Sequence, residues 1–369
     1  MKKLLSILLA LMMVFALVGC SSSSDSGDDT ASSDNGSEDV AVLWYTYSDA
    51  YLSTVRAALD AEFTAAGVNF KDYDANGVQA DQTNQIDTCI AAGVKVLVVN
   101  QVDSGSEDVT KTILEKAEAA GVKCVFFNRA VSTTDEAAEA LLNQYGSAFV
   151  GTDFTEAGHM EGKMVGEYVL ANYDTVDLNG DGKISYVVFK GDEGNAEAIA
   201  RTQYGVEDAD AVLTAAGKPA LEYYDAAATT KYLLDANGTW SDTAAYDHMN
   251  NVLSQYNESN NNMVELVIAN NDMMAIGAIN ALQDKGYNKA DSEVIIPVFG
   301  VDALDQAKTL IDEGIMAGTV KQDGEGMAKV TAIIAENLLA GEAAVSNIPD
   351  AYNAVGTWRV NIPYSLYQK

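Results

Sequence analysis

The chain has 369 residues, 48% of them apolar, and its 54 acidic against 22 basic side chains leave a formal net charge of −32. Such a surplus of carboxylates, with no basic cluster, repels nucleic acid and anionic headgroups alike, so neither is an expected partner. Length and apolar content suffice for two cores of ordinary domain size.

Met1-Lys2-Lys3 precede an apolar run from Leu4 to Val18 that leads through Gly19 to Cys20. A short basic region, a short hydrophobic one and a small-residue cleavage site make an export signal, and the run falls short of the roughly 20 residues that span a bilayer. Residues 1–19 are expected to be a removed leader. The Leu-Val-Gly-Cys ending resembles a bacterial lipobox, which makes Cys20 an expected lipid anchor; an ordinary secretory signal ending in cysteine is the alternative. Residues 20–38 offer no large apolar group to bury and are expected to form a flexible tether. Attachment to the membrane then rests on the lipid alone, at a Gram-positive cell surface in preference to a periplasm.

From Asp39 the pattern alternates. A strand is expected at Val40–Tyr47, a helix at Tyr51–Ala66, a strand at Val68–Tyr73, a helix at Thr83–Ala92 and a strand at Val96–Val99. The rhythm continues with helix Asp108–Ala120, strand Cys124–Phe127, a strand at Phe149-Val150 and helix Glu156–Ala171. Next come strand Ile184–Phe189, helix Ala196–Ala216 and strand Leu221–Tyr224. Strand Leu266–Ala269, helix Met273–Lys285, strand Val294–Val298 and helix Leu304–Glu313 follow. That is too many strands for one small parallel sheet, so the expectation is α/β with two doubly wound lobes, which bind ligands beyond the carboxyl ends of their strands.

Asp49, Asn100, Asn128, Asn271-Asp272 and Asp302 all fall at such ends. Asn and Asp there also cap helices, and that simpler reading stays open for each. No glycine-rich dinucleotide fingerprint or phosphate-loop lysine accompanies them. Cys89 and Cys124 sit in apolar settings and read as buried thiols, their pairing undecided. His159 and His248 lie in helical stretches without metal-ligand spacing.

Asp177-Leu178-Asn179-Gly180-Asp181-Gly182-Lys183-Ile184-Ser185 matches the start of a calcium loop: oxygen side chains at alternate positions, then a glycine for the turn. The twelfth position, Val188, is not a glutamate, so a remote carboxylate would have to complete the shell. The alternative is a surface turn without metal.

That loop, followed by VVFKGDEGNAEAIART, VIANNDMMAIGAINAL, IPVFGVDAL and MAGTV in this order, resembles the bacterial galactose/glucose-binding proteins of ABC importers, from about Val42 to Tyr364. The resemblance implies two Rossmann-like lobes joined by a three-strand hinge, the type I periplasmic binding protein fold. It puts the crossings near 122–125, 321–323 and 361–363, a first lobe at 39–124 plus 322–361, and a second at 125–321 plus 362–369. It implies a structural Ca2+ held by Asp177, Asn179, Asp181, the Lys183 carbonyl, Ser185 and the remote Glu265. Ser185 stands where the family commonly has glutamine, which weakens that corner.

The resemblance also carries over a sugar site: Asp49 and Asn100 from the first lobe, and Arg201, Trp240, Asn271 and Asp302 from the second. Tyr51 replaces a phenylalanine and would sandwich the ring with Trp240. Asn195 replaces histidine, Glu197 aspartate and Gln322 asparagine, so sugar identity is open: galactose or glucose, or a pentose, methyl-galactoside or other hexose. The implied protein is a monomer and no enzyme, handing a monosaccharide to ABC permease subunits. A sensor serving a chemoreceptor or kinase is the first alternative. A calcium-dependent carbohydrate enzyme lacks a motif that arms a carboxylate as acid. A repressor of the LacI type is excluded by the leader and the charge.

Overall fold

The protein is described here by a computed structural model covering residues 38–369. The leader, Cys20 and all but the last residue of the expected tether lie outside those residues.

The first lobe is built from β1 (Val40–Trp44), α1 (Ala50–Ala66), β2 (Phe70–Asp74), α2 (Gln79–Ala92), β3 (Val96–Val99), α3 (Glu107–Ala120), β4 (Lys123–Phe127), α4 (Asp135–Tyr145) and β5 (Ala148–Gly151). The chain then builds a second lobe from α5 (Glu156–Ala171), α6 (Tyr173–Val176), β6 (Ser185–Lys190), α7 (Ala196–Ala215), β7 (Glu222–Tyr223), β8 (Leu233–Leu234), α8 (Asp242–Leu253), β9 (Leu266–Ala269), α9 (Asp272–Asp284), β10 (Val298–Asp302), α10 (Asp305–Glu313) and β11 (Gly318–Lys321). It returns to the first lobe for α11 (Gly324–Ala340), β12 (Asn353–Val355) and β13 (Arg359–Asn361), and ends in the second with β14 (Ser365–Gln368).

Each lobe holds a 7-stranded sheet, in the first ordered β12-β13-β5-β4-β3-β1-β2. The path β14-β11-β10-β9-β6-β7, with β8 also beside β6, makes the second. All pairings are parallel except β12 with β13 and β14 with β11, at the sheet edges. Strands buried on both faces explain the continuous apolar runs, such as Val96–Val99, where every residue is buried. Helices flank the sheets and each sheet buries a core on either side.

The order of strands reverses at β1, between β2 and β3, and at β6, between β7 and β9. These are the switch points where a doubly wound sheet leaves a crevice.

Three expectations need correction. Strands β4 and β5 both pair within the first sheet, so the first crossing follows Gly151 and not residues 122–125; the first lobe extends to 151 and the second begins after it. The other crossings run through Gln322-Asp323 and Ile362–Tyr364. The segment Val294–Val298 is not a strand: Pro297 has no N–H to enter a ladder and gives only its carbonyl, to Val267 N at 3.0 Å, so pairing starts at Val298. Helices α4, α8 and α11 had no counterpart in the sequence reading.

Among the described residues no helix is long and apolar enough to cross a membrane. Cys89 and Cys124 are both free and buried.

Candidate functional site

The loops leaving the carboxyl ends of β1, β6, β9 and β10 turn towards one another across the seam between the lobes. Asp49, Tyr51, Asn128, Arg129, Asn195, Glu197, Arg201, Trp240, Asn271, Asp302 and Gln322 line one cleft there, with about 390 Å3 of unfilled space. Nine of those eleven side chains are the sugar-site residues expected from sequence.

For three of them the capping reading also holds. Asp49 Oδ1 accepts from Leu52 N at 2.9 Å and so caps α1, Asn195 caps α7 through Ala198 N, and Asn271 caps α9 through Met274 N. Capping fixes each rotamer at the helix start that faces the crevice, so one residue performs both tasks. Asp49 Oδ2 also accepts from Tyr45 Oη at 2.7 Å.

Asn100 is different. It is fully buried and does not line the cleft: its amide donates to the Phe127 carbonyl and Asn128 Oδ1, and its oxygen accepts from Tyr45 N. It supports Asn128, which does line it. The sequence reading placed Asn128 at a strand end without assigning it to the site, and missed Arg129. Arg129 stacks over the Tyr45 ring at 4.2 Å, donates to the Gln101 and Val102 carbonyls, and stands 3.5 Å from Asp192 of the other lobe. The only available signal was an arginine directly after the strand-end asparagine.

Arg201 is the electrostatic centre. Nη2 reaches Glu197 Oε2 at 3.0 Å, Gln322 Oε1 at 3.3 Å and Tyr364 Oη at 3.1 Å, while Nη1 donates to the Asn270 carbonyl at 2.9 Å. Burial disfavours its charge, but Tyr364, Glu197 and Asp302 more than offset that and hold it protonated. Glu197 Oε1 accepts from Thr152 Oγ1 at 2.6 Å and from Tyr364 Oη at 3.3 Å. Thr152, Gln322 and Tyr364 come one from each crossing. Arg201 Nε and Gln322 Nε2 are buried donors without a protein partner.

Asp302 is buried, and its carboxyl is pushed well above the usual range by burial, against the pull of Arg201. Its backbone has φ 125°, followed by Ala303 at 58°; Asn128 and Trp240 also have positive φ, 61° and 57°. Non-glycine residues held in this region cost energy, and their concentration at one cleft marks a built site. Tyr51 and Trp240 supply its aromatic surfaces, each less than 9% exposed. Acceptors, unpartnered donors and two aromatic rings suit a ligand of many hydroxyls and apolar C–H faces.

The calcium-type loop lies elsewhere, at the start of β6. Gly180 and Gly182 make its turn with φ 71° and 82°. Asp177 accepts from Asp181 N and Gly182 N, Asn179 from Asp181 N, and Asp181 from Lys183 N, so the loop is held by its own side chain to backbone bonds. Glu265 does lie behind it, but both its oxygens accept from protein donors: Leu178 N, Asn179 N, Ser185 N and Ser185 Oγ. The single Ser185 hydroxyl proton is shared between Glu265 Oε2 at 3.2 Å and the Met263 carbonyl at 2.7 Å. Among the described residues no three His, Cys, Asp or Glu side chains gather at a spacing that could hold a metal ion. The oxygen side chains of Asp177, Asn179, Asp181 and Glu265 have the right chemistry for Ca2+.

Comparison with known proteins gives consistent relatives. A family profile described as "Periplasmic binding protein domain" matches residues 40–343. The D-galactose/methyl-galactoside binding periplasmic protein MglB of Haemophilus influenzae is 32% identical over 306 residues, 83% of this chain and 82% of that one. A putative rhizopine-binding protein of Rhizobium meliloti is 30% identical over 84% of this chain and 87% of its own. A Bacillus halodurans ABC transporter solute binding protein with bound myo-inositol is alike in fold, with TM-score 0.64, 24% identity and coverage of 91% and 96% of the two chains.

Proposed function

Because the chain belongs to the periplasmic binding protein family, we propose that it captures a monosaccharide, galactose or glucose before others, between its two lobes and delivers it to an ABC permease. The observation that carries this reading is the meeting, in one cleft, of Asp49 and Tyr51 from the first lobe with Arg201, Trp240, Asn271 and Asp302 from the second. Carboxylates accept hydroxyl protons, the buried Arg201 and Gln322 donors await acceptors, and the aromatic rings take the C–H faces of a pyranose. The relatives are solute-binding proteins, and the chain acts as a binder rather than an enzyme, outside the cytoplasm.

Asn195, Glu197 and Gln322 are where the ligand is chosen. Glu197 and Gln322 are already tied to Arg201, so each hydroxyl near them meets a partner of fixed position. A hydroxyl left unpaired there costs about 1–3 kcal/mol. A thermal-shift panel of galactose, glucose, ribose, xylose and arabinose tests the proposal: a ligand at 100 times its Kd adds about 2.7 kcal/mol. A shift for galactose or glucose supports the reading, one for a pentose alone moves the specificity, and none among the sugars overturns it. Release of nitrophenol from a nitrophenyl galactoside would argue instead for an enzyme.

Two further parts of the proposal rest on sequence. Cys20 as a lipid anchor predicts that a labelled fatty acid is incorporated and that Cys20→Ala abolishes it. Ca2+ at the Asp177–Ser185 loop is supported by its oxygen spacing and predicts that EGTA lowers Tm; an unchanged Tm removes the ion.

A further inference from the structure

The central cleft is not the largest space between the lobes. Beyond Arg129, which lines both, the seam opens into a region of about 940 Å3 bounded by Thr46, Asn76 and Asp103 of the first lobe and Asp192, Asn237 and Thr239 of the second. The Arg129–Asp192 contact at 3.5 Å crosses the seam at this point. We propose that this region is a second subsite, which holds a further pyranose unit linked to the sugar in the cleft, so that the ligand class extends to disaccharides. The proposal rests on the monosaccharide reading above.

The charge state of the lining favours a neutral polyol over a cation, although four carboxylates border the space. Asp192 faces Arg129 and accepts from Gly194 N at 2.9 Å. Asp235 accepts from Asn237 N, Thr239 Oγ1 and Ser241 N, all at 2.9–3.0 Å. Glu193 is paired with Lys190 and accepts from Tyr232 Oη. Asp103 and Asp235 have no basic partner among the described contacts, but the Asp235 oxygens are taken up by their three donors, which leaves Asp103 alone to face a cation, too little to fix one. What remains is a set of amide and hydroxyl side chains interleaved with the apolar surfaces of Val102, Leu234 and Ala236, the mixture a sugar ring presents in return. The seam space is larger than the cleft and lies beside it, so a second ring can be placed there next to the first.

Isothermal titration of the mature chain with galactose, glucose, melibiose, lactose and maltose, repeated on Ala236→Trp, tests this. Ala236 is exposed and borders the seam without lining the cleft, so an indole there is placed in the subsite and not in the cleft. At least one disaccharide is expected to bind within about tenfold of its cleft monosaccharide, and the variant to weaken it by about tenfold or more while leaving the monosaccharide unchanged. Asn237→Trp, also exposed, replaces it if Ala236→Trp loses its native circular dichroism. Monosaccharide binding with no disaccharide binding overturns the subsite alone, as does a variant that weakens both ligands equally or neither. Absence of binding by every sugar overturns the monosaccharide reading and the subsite with it.

Discussion

The indole of Trp240 lies directly on the backbone of Gly191: a Cβ added to Gly191 would stand 2.2 Å from Cδ2 and Cε3 of the ring. The absence of a side chain at the end of β6 is what lets the aromatic wall of the cleft sit flat against the second lobe.

Gly191→Ala is therefore expected to push the indole into the cleft and weaken sugar binding by about tenfold or more, since each 1.4 kcal/mol is a factor of ten. Titration calorimetry with the best ligand of the sugar panel measures it. Unchanged affinity would mean that the ring is not a wall of the site.

Arg201→Ala removes the buried cation that pairs with the half-buried Glu197 and faces the buried Asp302. Stability should fall by about 3–5 kcal/mol, the cost of orphaning a buried charge, with sugar binding lost as well. Urea denaturation reads the first effect. A loss below about 1 kcal/mol would place the guanidinium outside the network.

Glu161 on α5 is fully buried with both carboxyl oxygens unpartnered, and burial raises its pKa well above the usual value; Asp272 is raised to about 7 by the same cause. A carboxyl whose folded pKa exceeds its unfolded value binds protons preferentially when folded. It contributes stability below the unfolded pKa and loses that contribution as pH rises through the folded one. The ligand-free protein should therefore be more stable at pH 5.5 than at pH 8. Glu161→Gln should flatten that dependence and stabilise the protein at the higher pH; an identical pH profile in the variant would exclude Glu161 as a source.

Glu265 holds the Asp177–Ser185 loop through backbone N–H groups, so its loss is felt with or without an ion. Glu265→Ala should lower stability by about 1–3 kcal/mol in EGTA as well as in Ca2+, the cost of unsatisfied buried donors. A loss confined to the Ca2+ arm of a thermal melt would reassign the carboxylate to the metal.

Gly158, Gly162 and Gly166 line the face of α5 that meets α7, and a Cβ on Gly162 would be 2.2 Å from the Tyr204 carbonyl oxygen. Gly162→Ala must separate two helices packed backbone to backbone and should cost about 1–3 kcal/mol by overpacking. Chemical denaturation checks it.

The alternation of strands and helices was legible because buried parallel strands read as unbroken apolar runs, and nine residues of the candidate cleft were named in advance through the motifs that carry the family resemblance. What failed has physical reasons. Asn100 looks like any polar residue at a strand end, yet its amide turns sideways to the backbone of Tyr45, just past β1, and of Phe127 at the end of β4. The first crossing was misplaced because α4, whose sequence is DEAAEALLNQY, shows a solvent face with few apolar positions, so β5 did not register as a partner of β4. The glycines of α5 were visible at every fourth position, but what they approach is set by tertiary packing.

Thr152, Gln322 and Tyr364, one from each crossing, all bond to Glu197 or Arg201. The parts that bend are thus wired to the parts that recognise. A substitution at Glu197 or Gln322 that retunes which hydroxyl is preferred will also retune how long the lobes stay shut, so selectivity and residence time in this protein are inherited together.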